Sequence, residues 1–305
     1  MKKLVFVLVL VLTLLVQVSL NYKGIYLPPS FERPDFEKVG VVKAPAEEFL
    51  DEYVSTEGTV IFDMAHDNGI EIRELNVLVS RLTARGYKVE YMENADDLEN
   101  SLKYADAFVV ISPVVTYSGE QIDLLSRFVK KNGKLLMIHD PTRKDSINTL
   151  SVGFGVTFDS GYLYNQLEND GNFQYIFLED FESNDLTKGL DKVSMYVASS
   201  ITSTGRGLAH TNENTFSSTQ TKQRFSPMVL TSGGNALAIG DISFMLEPYN
   251  SVFDNNKLVS NIADFITAGG RLYHITDHPH YLDNGYFLVY GEDSLLDDAL
   301  EIKKL

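Results

Sequence analysis

Between Thr59 and Asp140 four short runs, "TVIFDM", "YKVEYM", "AFVVIS" and "KLLMIHD", alternate with segments of helical spacing, and that alternation restricts the chain to few folds. The runs are rich in β-branched and aromatic residues and read as near-continuous apolar stretches, as strands covered on both faces must. The segments between them are helical in pattern. "IEIRELNVLVSRLTARG" places Ile72, Leu75, Val79 and Leu82 at helical spacing with Gly86 as a stop, and "DDLENSLKYAD" reads as a short helix. "SGEQIDLLSRFVKKNG" has Ser118 to cap its start and Gly133 to end it. Strand and helix in alternation predict an α/β architecture: a mainly parallel sheet sandwiched between two helical layers.

Beyond Pro141 the alternation loosens. "INTLSVGFGVTFD" reads as a short helix that breaks at Gly153 and Gly155 into a strand, and residues 165–185 read as an acidic, solvated loop region. "VSMYVASS", "PMVLTS" and "ALAIGD" read as strands with antiparallel pairs at one sheet edge, whereas "STGRG" and "TSGGN" read as turns. "NKLVSNIADFITAGG" forms the last helix of this unit, with Leu258, Ile262 and Phe265 on one side and Gly269 as its stop. The tail predicts a small C-terminal extension, a strand at "YFLVYG" and an amphipathic helix at "SLLDDALEIKKL".

The N-terminus carries a different signal. Lys2 and Lys3 precede an apolar run from Leu4 to Val16, as in an export signal, but no small-x-small cleavage site follows. Continued through Leu20 the run approaches the about 17 residues that a spanning helix needs. Residues 1–20 are therefore either a signal peptide or an uncleaved anchor. With an anchor, the two lysines keep its start cytoplasmic and the rest of the chain lies outside; with cleavage, the chain is secreted. Residues 21–57, broken by Pro28, Pro29, Pro34 and Pro45, read as a linker or a strap on the domain surface, with one short helix at "APAEEFLDEYV". Residues 58–268 then form the α/β domain and 269–305 the extension.

Composition narrows the function classes. The 305 residues are 44% hydrophobic, which supports a sizeable core, and 42 acidic against 26 basic side chains give a formal net charge of -16. Such a field repels nucleic acid, so no nucleic-acid partner is expected. There is no cysteine, which removes disulfides, thiolate metal sites and cysteine nucleophiles.

From about Thr59 to Thr267 the chain resembles the class I glutamine amidotransferase-like domains of archaeal and bacterial proteins of unknown function, grouped with GIFT and GldG-type domains. The resemblance is carried in order by "VIFDMAHDN", "SPVVTYSGEQIDLLSRFVKKNGKLLMIHD", "NTLSVGFGVTFD" and "LAIGDISFM…DNNKLVSNIADFI". It implies a flavodoxin-like sandwich whose loops gather at the carboxyl ends of the strands. In the catalytic members a cysteine on a sharp turn after a central strand does the chemistry. Here "PVVTYS" follows the corresponding strand; Thr116 and Ser118 offer hydroxyls, yet no G-x-S-x-G elbow surrounds them. The GldG-type relatives point toward subunits of a membrane transport complex as partners, beside sugars or surface polymers.

Ligands of parallel sheets bind outside the carboxyl ends of the strands. Asp63, His66, Asp67 and Asn68 follow the first strand, Thr116 the third, Asp140 the fourth and Asp241 "ALAIG", so these seven residues make up a candidate ligand crevice. Each aspartate equally suits a turn or a helix cap. A competing reading is a hydrolase using Asp63, His66 and Asp140, with or without a metal. "HITDHPH" brings His274, His278 and His280 into seven residues, a weak metal candidate because Pro279 breaks helical i, i+4 geometry and packing explains such a strap as well. "ENDGNFQYIFLEDFESND" lacks the spacing of a calcium loop. No cofactor is expected.

Overall fold

A computed structural model describes residues 2–22, 49–221 and 224–272. The histidine cluster and the C-terminal strand and helix expected from the sequence lie outside the described residues. The chain divides into two compact units, Met1–Ala46 and Glu47–Leu305. In the first, helix α1 (Lys2–Tyr22) includes a stretch, Lys2–Leu20, with mean hydropathy 2.5 and none of its window buried. By length and composition that stretch can cross a membrane, or serve as a signal sequence.

The second unit opens with β1 (Gly58–Asp63), α2 (Asn76–Ala84), β2 (Tyr87–Met92), α3 (Leu98–Tyr104), β3 (Ala107–Ile111), α4 (Gly119–Lys130) and β4 (Lys134–Ile138). Then follow α5 (Asn148–Ser151), β5 (Val156–Phe158), β6 (Leu163–Asn165), β7 (Tyr175–Leu178), β8 (Asp180–Phe181), β9 (Val193–Tyr196), β10 (Ile201–Ser203), β11 (Arg206–His210), β12 (Thr215–Ser217), β13 (Met228–Leu230), β14 (Ala236–Ile239) and α6 (Asn255–Ile266). Eight strands form the central sheet in the order β2-β1-β3-β4-β14-β13-β11-β8. The first five are mutually parallel and the last three pair antiparallel. The expected α/β class with a mainly parallel sheet is what the chain adopts.

Strand alternation sorts the core into two layers. Val60, Phe62, Val109, Ile111, Leu136, Ile138, Leu237 and Ile239 face α2 and α6, whose Leu78, Leu82, Leu258 and Ile262 are buried against them. Ile61, Phe108, Val110, Leu135, Met137 and Ala238 face the other way, onto Leu98 and Leu102 of α3 and Leu125 and Phe128 of α4. Each fully buried Leu or Phe contributes about 1.5–3 kcal/mol of transfer free energy, so the solid apolar strands seen in the sequence are the central layer of a three-layer sandwich.

Several local expectations are corrected. Ile72 is 49% exposed, because the first turn, Ile72–Leu75, is a 3₁₀ helix; the buried stripe is Leu75, Leu78 and Leu82. Of the short helix expected at "APAEEFLDEYV", residues 44–48 lie outside the described residues, and residues 49–57 form no helix. They run as a strap, held by Asp51 on the buried Arg85 and on Arg81, and by Phe49 and Tyr53 lying under those two guanidinium groups. The acidic stretch 165–185 is more than loop: β7 pairs antiparallel with β9 and buries Ile176 and Leu178 completely. "STGRG" is only partly a turn, since Arg206 and Gly207 already belong to β11. Ser118 caps α4 as expected, accepting the Gln121 N–H at 3.3 Å in a capping box.

Candidate functional site

β1 ends on Asp63, whose position in the alternation points it to the α3/α4 side of the sheet. Its side chain is 0% exposed, and three neighbours fill the carboxylate. His66 Nδ1 lies 3.0 and 2.9 Å from the two oxygens, the Ala65 N–H donates at 3.0 Å, and the Tyr117 hydroxyl donates at 2.5 Å. The His66 and Tyr117 rings stack, centroids 3.9 Å apart and 12° from parallel. Burial, and next the neighbouring Asp63 charge, push the Tyr117 hydroxyl well above its usual range, so it stays protonated and donating. The His66 carbonyl is also used, accepting the N–H groups of Val114 and Val115 at 2.9 Å each. Asp63, His66 and Tyr117 thus form a closed, buried knot tying the loop after β1 to the loop after β3.

The other expected residues fall elsewhere. Asp67 is exposed, with a left-handed backbone (φ 51°), and Thr116 is exposed. Asn68 donates to the Ile111 carbonyl at 2.9 Å while its Oδ1 is buried without a partner. Asp140 and Asp241, both 0% exposed, follow the register of Ile138 and Ile239 and so lie toward the α2/α6 side, opposite to Asp63. Asp140 Oδ1 accepts from the Thr142 N–H and hydroxyl at 2.8 and 2.6 Å, and Arg143 approaches its Oδ2 at 3.5 Å. Asp241 accepts the Tyr196 and Ser243 N–H groups at 2.7 Å each. Its pKa is nonetheless pushed up to about 7, first by burial, with the Asp140 charge adding to it. The structure therefore pairs Asp63 with His66, while Asp140 and Asp241 lie toward the other side, close enough for the charge of one to act on the other. Among the described residues no three His, Asp or Glu side chains converge as a metal site.

Sequence reasoning passed over Ser112, His139, Asp145 and Tyr117. Ser112 follows β3 directly, 0% exposed, with φ 42°, a left-handed conformation uncommon for a residue with a side chain. Its N–H donates to the Ile138 carbonyl at 2.9 Å, and its hydroxyl has no protein partner. By register His139 lies beside it on β4's end, with Nδ1 2.5 Å from Asp145 and a buried, unpartnered Nε2. The available signal was the serine at the strand end in "VVISP"; its backbone strain is a property of tertiary structure.

A strand that ends in a sharp positive-φ residue is the turn on which α/β hydrolases and amidotransferases mount a nucleophile. In that arrangement the next residue's N–H helps hold the oxyanion. Here the next residue is Pro113, which has no N–H.

No family model matches the chain, and no curated protein matches it. Among solved structures, the mmIFT52 N-terminal domain is similar with a TM-score of 0.59 at 11% identity, covering 69% of this chain and 98% of that one. The likeness is one of an α/β fold built on a mostly parallel sheet. Weaker likenesses are a putative ThuA-like protein from Bacteroides uniformis (TM-score 0.44, 10% identity, 70% of this chain and 91% of that) and PurLQS from Thermotoga maritima (0.40, 11%, 70% and 99%). At these identities the similarity is one of fold alone.

Proposed function

We propose that this chain is a non-catalytic amidotransferase-like domain of the GIFT and GldG type. In this reading it stands on the extracytoplasmic side of a membrane, where it binds a surface polymer, a sugar or a subunit of a transport complex. The observation that carries the reading is the turn after β3: the residue at the nucleophile position is a fully buried serine, and the residue after it is Pro113, without the oxyanion-binding N–H. The Asp63–His66–Tyr117 knot supports it, since its buried polar groups hold one another. The apolar stretch Lys2–Leu20 supports the membrane part.

A second reading, a hydrolase, draws on His139. Its Nδ1 is held by Asp145 while Nε2 stays free, half of a charge-relay arrangement.

Cell fractionation with protease added outside tests the first reading. It predicts that the full chain sediments with membranes and is digested in intact cells, while the purified protein leaves ester, peptide and glycoside panels unchanged. Recovery as a protected, soluble cytoplasmic protein ends the membrane part, and turnover lost in His139→Ala ends the non-catalytic part.

A further inference from the structure

The antiparallel edge of the sheet contains a cavity that neither the Asp63 knot nor the Asp140 and Asp241 carboxylates use. β11 and β13 pair through Gly207 and Val229, with a register shift before Ala209. Position 207 carries no side chain, and a Cβ there would come within 2.7 Å of the His210 ring and 2.9 Å of the Ser226 hydroxyl. The space left above Val229 and Ile201 measures about 220 Å³. That is below the about 300–1,000 Å³ of pockets for drug-sized ligands, so it suits a single small ring.

Two side chains lining this cavity carry buried polar atoms with no hydrogen-bond partner: Ser200, 3% exposed, through its hydroxyl, and Gln220 through Oε1. Folded proteins leave few such atoms unsatisfied, and two at one cavity mark the place where something else completes the bonding. The charges at the rim are already matched. Arg224 pairs with Asp180 at 2.6 Å, and His210 lies 3.9 Å from Glu182, which Arg206 also holds at 2.9 Å. Among the described residues an anion finds no free cation here, and it would meet the Gln220 carbonyl oxygen. A purely apolar molecule would leave both orphan atoms unsatisfied. A hydroxyl donates and accepts, so it satisfies Ser200, and it satisfies Gln220 in either amide orientation. The ring's C–H face would then rest on Ile201 and Val229.

We propose that this cavity binds one neutral sugar ring, with Ser200 and Gln220 as its hydrogen-bonding residues. This deepens the reading of the chain as a binding module, on which it rests.

The test is calorimetric titration of the full chain in lipid nanodiscs, free of sugar-based detergent. The probes are the methyl glycosides of glucose, galactose, mannose and N-acetylglucosamine, with inorganic phosphate for comparison. At least one glycoside is expected to bind and phosphate not to. Ser200→Ala and Gln220→Leu should each weaken binding about tenfold, the loss of one hydrogen bond. Neither should lower the melting temperature, because the atoms removed have no protein partner. Silence toward all four glycosides, the result if water alone fills the cavity, overturns the proposal, as does preferential binding of phosphate. A glycoside held equally by wild type and both variants overturns the cavity assignment and leaves the module reading standing. Release of methanol from a glycoside ends the module reading instead.

Discussion

Tyr117 donates its hydroxyl hydrogen to Asp63 at 2.5 Å across 54 residues of chain, joining the loop after β3 to the end of β1. Both are buried, so the bond forms where water cannot replace it. Tyr117→Phe keeps the ring stacked on His66 but leaves the carboxylate short of one donor. The expected cost is about 1–3 kcal/mol in urea unfolding. Asp63→Ala, which strands both the His66 ring nitrogen and the Tyr117 hydroxyl, should cost more than Tyr117→Phe.

The same pair shows what could and could not be read from the sequence. The strand before Asp63 was legible because Val60, Ile61 and Phe62 form an apolar run, and burial on both faces of a parallel sheet demands just that. The position of Asp63 at the strand's carboxyl end followed from it. Its partner Tyr117 was not legible, since nothing local marks which tyrosine will fold back over 54 residues. Asp140 and Asp241 likewise stood at strand ends, but whether they join Asp63 depends on one residue of register, and the alternation sends them to the opposite face. β10 and β11 were hidden because "ITSTGRGLAH" mixes glycine and polar residues; they are strands through pairing with distant partners.

The folded-state pKa of Asp241, about 7, lies above the 3.8 of an ordinary aspartate. The neutral form is thus favoured by folding. Its contribution to stability is complete below about pH 4 and is lost as pH rises toward 7, by about 4 kcal/mol at 1.36 kcal/mol per unit. Urea unfolding from pH 4 to 8 should show this decline, while Asp51, whose pKa the hydrogen bonds from Arg85, Ser260 and Arg81 lower despite burial, loses its contribution only below that window. Asp241→Asn should flatten the decline. Asp140→Asn, which removes the neighbouring negative charge, should make it smaller and end it at a lower pH.

Arg85 is 0% exposed and binds Asp51, Asp264 and the Ser260 hydroxyl, at 3.1, 2.7 and 2.9 Å. Arg85→Ala removes the shared partner and leaves Asp51 with Arg81 and the Ser260 hydroxyl. A loss of about 3–5 kcal/mol is expected, as for other broken buried pairs. Limited proteolysis should then cut within residues 49–57, which the network holds against the domain.

Ser112 occupies a left-handed backbone at φ 42° with an unpartnered hydroxyl. Ser112→Gly removes a backbone strain of about 1–2 kcal/mol and adds an unfolded-state entropy cost of about 0.5–1 kcal/mol. The variant should be as stable as wild type or up to about 1.5 kcal/mol more stable in the same urea assay. Ser112→Val, with a branched side chain in that conformation, should be clearly less stable.

The central proposal, that the turn after β3 carries no chemistry, is tested most directly by intact-mass measurement after incubation with a fluorophosphonate, which phosphonylates serines activated as nucleophiles, with fluoride leaving. The structure, with Ser112 buried and Pro113 beside it, predicts an unchanged mass. Stoichiometric labelling that disappears in Ser112→Ala would contradict it.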